Sequence, residues 1–295
     1  MTLLRDFISS AVASLSGIYP EREARSIVDR LCEDLLGVRS YVAVVEPLTE
    51  VSPEGAARWE KAMARLLAFE PLQYVTGFAD FYGRRFAVSP DVLIPRPETE
   101  LLVREAIAAA CRLPAGGTLR ILDLCTGSGC IAWSLALERP GTAVTGVDIS
   151  EKALAVAAGQ DFGDELARTG ATAPRFIKAD VLDIDSAAET LGGPYDIIVS
   201  NPPYIAEAQK SQMERNVLDY EPALALFVPD DDPLIFYRAI AALSRRLMRA
   251  GSQGFVEIND AFGPQTAALF EAAGFREVRL IPDLAGRDRI VAWKM

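Results

Sequence analysis

Leu119-Arg120-Ile121-Leu122-Asp123-Leu124-Cys125-Thr126-Gly127-Ser128-Gly129 decides how this chain folds. Leu119 to Leu124 is a short apolar run that ends in turn residues, the pattern of a buried strand. A helix is predicted around Ile131 to Leu137, and between the two Gly127 and Gly129 let backbone approach a ligand closely because no Cβ intervenes. A strand, a glycine turn and a helix in this order can open a nucleotide-binding unit, although Gly-x-Gly alone also describes a tight strand-to-helix turn. The residues downstream favour the first reading. Ala143 to Val147 is predicted as the next strand, and Asp148 at its end can accept hydrogen bonds from both hydroxyls of a ribose. Asp180, closing a strand predicted at Arg175 to Lys178, can face an adenine edge or serve as an ordinary turn residue.

The alternation continues to the carboxyl terminus. Tyr195 to Ser200 is predicted as a buried parallel strand. Ser150 caps the helix after Asp148, Asp232-Pro233 caps a helix through Leu247, and Pro264 to Ala273 is a further helix. Gly254 to Ile258, Val278 to Ile281 and Arg289 to Trp293 are the remaining strands. The expected fold is α/β, a mostly parallel doubly wound sheet that starts after Ala115-Gly116-Gly117. Towards the amino terminus the period changes. Leu3, Phe7, Ala11, Leu15 and Ile18 share one helical face, Ala24, Ile27, Val28, Leu31, Cys32, Leu35 and Leu36 share another before Gly37, and Ser52-Pro53-Glu54 starts a third helix. Residues 1–76 therefore read as a small helical bundle for packing or substrate docking. Residues 77–94, with aromatic alternation around Gly83, read as a hairpin linker containing a hinge, and residues 95–295 as the α/β domain, entered by a helix from Pro97-Glu98.

Composition excludes several chemistries. The 295 residues contain no histidine, which removes a Ser-His-Asp triad, a His-based zinc site and any imidazole base. Cys32, Cys111, Cys125 and Cys130 form no Cys-x-x-Cys pair and read as reduced, so a cytoplasmic location is expected. No apolar run reaches the roughly 18 residues of a membrane span. A net charge of −11 argues against a nucleic-acid face. Asp230-Asp231-Asp232 reads as a solvated helix-capping loop rather than a metal site.

The chemistry is concentrated in Asn201-Pro202-Pro203-Tyr204, directly after the strand at Tyr195 to Ser200. Ligands bind at the carboxyl ends of strands in such sheets. Two prolines give a stiff turn without N–H donors, whose carbonyls are free to accept. Two cofactors fit the strand-turn-helix, a nicotinamide dinucleotide and S-adenosylmethionine. Hydride transfer gives the Asn-Pro-Pro-Tyr turn no obvious task, whereas methyl transfer to a planar NH₂ does: Asn201 and the Pro202 carbonyl can hold its N–H groups while Tyr204 lies against the plane.

With these residues in place the sequence resembles the glutamine methyltransferases that modify the Gly-Gly-Gln loop of peptide chain release factors. The resemblance covers almost the whole chain. It is carried by Pro71-Leu72-Gln73-Tyr74 with Gly77, Phe81-Tyr82-Gly83, Leu93-Ile94-Pro95-Arg96-Pro97-Glu98-Thr99-Glu100, Asp123 to Gly129, Asn201 to Tyr204, Glu221-Pro222 with Ala225-Leu226, and Asp283-Leu284-Ala285-Gly286-Arg287-Asp288-Arg289. It implies a helical domain that helps bind the release factor, a hairpin linker, and a Rossmann-like methyltransferase domain using S-adenosylmethionine, with S-adenosylhomocysteine as product and no metal. It further implies cofactor contacts from Asp123, Leu124, Cys125, Thr126, Gly127, Asp148, Asp180, Val181 and Asn201, and substrate contacts from Asn201, Pro202, Pro203 and Tyr204. Cys125 stands where many members have glycine, Val181 where some have an aromatic ring, and the stretch from Phe227 to Pro233 departs from the family's form. Methylation of an exocyclic amino group on RNA or DNA and a non-catalytic cofactor binder are the competing readings. Charge disfavours the first, and the intact Asn201 to Tyr204 beside Asp148 disfavours the second.

Overall fold

The computed structural model describes residues 3–113 and 117–295, so Ala115 and Gly116 of the expected inter-domain stretch lie outside the described residues. The chain divides into two compact units, Met1–Phe78 with Glu214–Tyr220, and Ala79–Met213 with Glu221–Met295.

In the helical unit α1 (Leu4–Leu15) and α2 (Glu21–Leu31) bury Leu4, Ala11 and Leu15, and Ala24, Ile27, Val28 and Leu31, the faces that 3.6-residue spacing aligns. The last turn of α2 widens into a π-helical turn, Cys32–Leu36, which ends on Gly37 at φ 68°. A single turn, α3 (Val42–Val45), precedes α4 (Pro53–Leu67), where the Ser52 hydroxyl accepts from Gly55 N and Pro53 occupies a position that needs no donor. Next, α5 (Leu72–Thr76) is tied to α4 by Arg65, whose guanidinium donates to Glu70 and to the carbonyls of Tyr74 and Val75. The stretch Glu214–Tyr220 belongs here although it is remote in sequence. Tyr220 donates its hydroxyl to Ala68 O at 2.6 Å, and Arg215 lies over the Phe69 ring.

In the second unit the hairpin comes first. Strands β1 (Phe78–Phe81) and β2 (Arg84–Ala87) turn through Tyr82 and Gly83, both at positive φ. Phe81 and Phe86 are fully buried, Phe86 meets the Phe162 ring edge-on at 5.1 Å, and Arg84 pairs with Glu165 and Glu138. Gln160 clamps the far end of the hairpin, accepting from Ala87 N and donating to the carbonyls of Ala87 and Ser128. From Ala79 onward the hairpin expected as a linker packs within the α/β unit, and the division of the chain falls between Phe78 and Ala79, at the start of the 77–94 stretch.

After a 3-10 turn at Pro97–Thr99 the elements run α6 (Glu100–Arg112), β3 (Leu119–Leu124), α7 (Cys130–Glu138), β4 (Thr142–Asp148), α8 (Glu151–Ala158), α9 (Gly163–Thr169), β5 (Arg175–Lys178), α10 (Ile184–Leu191), β6 (Tyr195–Ser200), β7 (Ile205–Ala206), α11 (Arg215–Leu218), α12 (Ala223–Leu226), β8 (Phe227–Val228), α13 (Ile235–Leu247), β9 (Met248–Glu257), α14 (Gly263–Ala272), β10 (Arg276–Pro282) and β11 (Asp288–Lys294). The main sheet has the order β10-β11-β9-β6-β3-β4-β5. Strands β9, β6, β3, β4 and β5 are parallel, and β11 and β10 close the edge antiparallel. This is the expected α/β class. The order reverses between β3 and β6, which opens a crevice at their carboxyl ends. Asp232 was expected to cap the helix through Leu247, but α13 begins at Ile235 and the Asp232 carboxylate instead pairs with Arg238. Among the described residues no helix is long and apolar enough to cross a membrane.

Replacing Phe86 by Ala leaves a cavity against Phe81 and Phe162, and such truncations cost about 3–5 kcal/mol. The expected outcome is an unfolding free energy lowered by that amount, read by circular dichroism as a lower urea midpoint with an unchanged slope. A loss below about 1 kcal/mol would show that the hairpin is peripheral to the core.

Candidate active site

The site is assembled at the carboxyl ends of β3, β4, β5, β6 and β9. After β3 the backbone takes a sharp turn in which Cys125 and Gly127 both have positive φ, 60° and 54°. Cys125 therefore holds a left-handed conformation that a glycine adopts without strain. Thr126 N donates to Val147 O, joining this turn to β4, and the Thr126 hydroxyl donates to Asp123 Oδ2 at 2.6 Å. Asp148 completes the arrangement. Its Oδ2 accepts from Gly127 N and its Oδ1 from Ser150 N, both at 2.9 Å, while the Ser150 hydroxyl caps α8 by accepting from Ala153 N.

A cavity of about 280 Å³ lies over these loops, wholly within the α/β unit. Of the residues singled out in the sequence, Cys125, Thr126, Gly127, Asp148, Asp180, Val181, Asn201 and Pro203 line it. Asp123, Leu124, Pro202 and Tyr204 do not. Asp123 and Leu124 are fully buried beneath the turn, and the Tyr204 side chain packs on the core, its phenol drawn to Glu257 rather than to the cavity. One wall was not foreseen. Glu221, whose side chain is 1% exposed, accepts from Arg96 at 2.6 Å and from Ile94 N at 3.2 Å. It thereby fastens the Leu93-to-Arg96 stretch to the Pro222-to-Ala225 stretch, and residues of both line the cavity.

The second unforeseen feature surrounds Asn201, whose Nδ2 donates to Thr99 Oγ1 at 3.2 Å. Tyr204 donates its hydroxyl to Glu257 Oε1 at 3.1 Å, while Glu257 Oε2 has no hydrogen-bond partner among the described residues. Burial pushes the Glu257 carboxyl upward, and the Thr99 and Tyr204 hydroxyls, then Arg289, draw it back. Burial also raises the Asp148 carboxyl, against its bonds from the Ser150 and Gly127 backbone, and raises the Cys125 thiol so far that it stays neutral. Thr99 had been read only as part of a helix start, and Glu257 not at all. An acidic residue closing an apolar strand was the available signal.

The lining suits S-adenosylmethionine. No atom lies within 4 Å of where a Cβ would stand on Gly127, so ligand atoms can approach that backbone. Asp148 presents a carboxylate to the cavity, and Val92, Ile149, Val181, Leu182 and Phe236 form an apolar wall.

Asp123 supplies a test of this geometry. Burial pushes its carboxyl up to about 7, only partly offset by the Thr126 hydroxyl and the backbone at Ala132. In the unfolded chain an aspartate titrates near about 3.9. Between those values the folded state holds a proton that the unfolded state has released, so stability falls as pH rises through the window. Asp123→Asn removes this dependence. Its stability relative to the parent should therefore rise between pH ~4 and ~7, by up to about 1.4 kcal/mol per pH unit. Urea titrations across that range check it, and a constant difference would contradict it.

Residues 6–77 match the family model described as PrmC N-terminal domain, and residues 99–220 the model described as Methyltransferase small domain. The chain is 44% identical over 282 residues to a release factor glutamine methyltransferase of Bacteroides thetaiotaomicron, covering 94% of this chain and 95% of that protein. It is 37% identical to the enzyme of the same name from Flavobacterium psychrophilum, over 98% of both. Among solved structures it is similar to a release factor-specific protein-(glutamine-N5) methyltransferase from Alicyclobacillus acidocaldarius, at 36% identity and a TM-score of 0.42, covering 70% of this chain and 98% of that one. Near-full-length identity of this order, together with both family models in their proper places, means that the chain belongs to the release factor glutamine methyltransferase family.

Proposed function

We propose that the cavity binds S-adenosylmethionine and that the enzyme transfers the cofactor's methyl group to the side-chain amide nitrogen of the glutamine in the Gly-Gly-Gln loop of peptide chain release factors, tuning translation termination. The observation that carries this reading is Asn201. It stands on the cavity wall with Asp148 and Asp180, and its amide is held by Thr99. The helical unit would then dock the release factor, a net charge of −11 supports a protein acceptor rather than nucleic acid, and four unpaired cysteines support a cytoplasmic setting.

When bound, S-adenosylmethionine supplies an electrophilic methyl group on a sulfonium sulfur and leaves as S-adenosylhomocysteine. The residues of the chain do the positioning. Asp148 takes the ribose hydroxyls, with Asp180 and Val181 at the base and the turn from Cys125 to Gly127 along the remainder. An amide nitrogen is a weak nucleophile because its lone pair is delocalised into the carbonyl. Asn201 Oδ1 and the Pro202 carbonyl accept its N–H groups, which aims the lone pair along the line of attack, and alignment of this kind lowers a barrier by up to roughly 7–11 kcal/mol. The nitrogen becomes acidic only as it gains the methyl group, so no strong base is required beforehand. Pro203 stiffens the turn, and Tyr204 serves by holding that turn from behind through its bond to Glu257.

Two substitutions separate binding from chemistry. Asp148→Ala should weaken S-adenosylmethionine binding about tenfold or more, read by calorimetry, because charge-assisted hydrogen bonds contribute roughly 1.5–3 kcal/mol each. Asn201→Ala should leave that affinity nearly unchanged and lower single-turnover methylation of a Gly-Gly-Gln release factor by on the order of 10²–10³. A release factor with the glutamine replaced by alanine is the blank. Equal labelling of the blank would end the assignment of glutamine as acceptor.

A further inference from the structure

The loop Asp283-Leu284-Ala285-Gly286-Arg287 takes no part in lining the cavity, yet it stands at the same end of the sheet. Ser200 is level with Val256 across β6 and β9, and Glu257 is level with Ile290 across β9 and β11. The loop that leads into β11 therefore lies beyond the carboxyl edge from which Asn201 emerges, two strand spacings or roughly 10 Å across the sheet. It is built around Asp283. The N–H of that residue donates to Arg287 O at 2.8 Å and its carbonyl accepts from Gly286 N at 3.0 Å. Its Oδ1 accepts from Ala285 N at 2.8 Å and Arg287 N at 3.0 Å, and its Oδ2 from Arg289 Nε at 2.9 Å. Gly286 supplies the left-handed turn, at φ 79°. Among these pinned residues Leu284 is 102% exposed, a side chain that buries nothing in the free enzyme.

A single exposed leucine is ordinary on a protein surface. The distribution here is not. Among the described residues of the α/β unit the exposed large apolar side chains are Ile149, Leu182, Leu224 and Leu284. The first three line the cavity and the fourth tops the neighbouring loop, so all of them stand at the carboxyl edge of the sheet. Apolar groups gathered on one face mark an interaction surface, and a loop fixed in advance loses little freedom on association. We propose that Leu284 is a docking residue for the acceptor protein, entering an apolar pocket of that protein beside its Gly-Gly-Gln loop. The inference rests on the reading of a release factor as acceptor and adds where, outside the cavity, that protein is gripped. A glutamine side chain that reaches Asn201 brings the surface carrying it over this edge, to within reach of a residue roughly 10 Å away. Leu284 offers no charge to a phosphate backbone, on which nucleic-acid binding depends, so the partner that fits it is a protein.

The test uses the full-length enzyme and a release factor carrying Gly-Gly-Gln. Leu284→Ser should raise KM for the release factor about tenfold and leave kcat within about twofold, because it removes binding energy without disturbing the aligned complex. Its Kd for a release factor with the glutamine replaced by alanine, measured by calorimetry with S-adenosylhomocysteine present, should rise by a similar factor. Affinity for S-adenosylmethionine and the urea midpoint should match the parent, since the side chain touches neither the cavity nor the core. Leu284→Met, which keeps an apolar chain of similar volume, should stay within about threefold of the parent. Asp283→Ala keeps the leucine but releases its loop and should also raise KM, and adding Leu284→Ser to it should cost less than in the parent, because both act on one contact. A parental KM and Kd for Leu284→Ser overturns the proposal. A changed oligomeric state in ultracentrifugation with KM unaltered overturns it too, and gives the loop to a second copy of this chain. If the parent enzyme methylates no release factor, the reading of the acceptor fails and the inference with it. If the parent does and Leu284→Ser is indistinguishable from it, the inference alone fails.

Discussion

The Asp148 carboxylate holds two loops at once, and the arrangement of the cavity depends on it. One oxygen takes the amide of Gly127 after β3, the other the amide of Ser150 at the start of α8. Backbone N–H groups at such positions would otherwise be left to solvent. By pairing them with a single acid at the tip of β4, the fold sets the distance between the glycine turn and the next helix. The carboxylate retains lone pairs beyond those two bonds, so the group that shapes the cavity is also available to a ligand inside it.

Much of this architecture was legible in the sequence, for a physical reason. Leu119–Leu124 and Tyr195–Ser200 are strands at the expected residues because each is a largely apolar run closed by turn formers, and Arg175–Lys178 is a strand on the strength of Phe176 and Ile177. Helices Gly163–Thr169 and Ile184–Leu191 were not legible, the one being too polar and the other too rich in Asp, Ser and Thr to stand out by propensity. Both are held by tertiary contacts instead, the first by Arg84 reaching Glu165 and the second by Ala187 and Leu191 buried in the core. The hairpin was recognised as a hairpin, but Phe81 and Phe86 carry no mark in the sequence of which side they pack against.

The site divides along the same line. Asn201, Asp148 and Asp180 could be found because they follow strands, where side chains project into the crevice. Thr99 and Glu257 could not, since their meaning is relational. A threonine before one helix and a glutamate ending a distant strand meet Asn201 and Tyr204 only once the chain has folded. Tyr204 lies elsewhere than its sequence suggested. Its aromatic ring suggested a wall for a planar substrate, whereas its phenol donates to the buried Glu257 carboxylate.

The composition of the helical unit has a consequence for how the protein is made. Its first 78 residues leave the ribosome early, yet the stretch from Glu214 to Tyr220 that completes it is translated only after β3, β4, β5 and β6. The Ala68 carbonyl at the end of α4 receives its hydroxyl from a residue 152 positions later. Domains usually close in the order of their synthesis. Here the amino-terminal unit must wait, with the end of α4 uncapped by Tyr220, until most of the other unit has been translated.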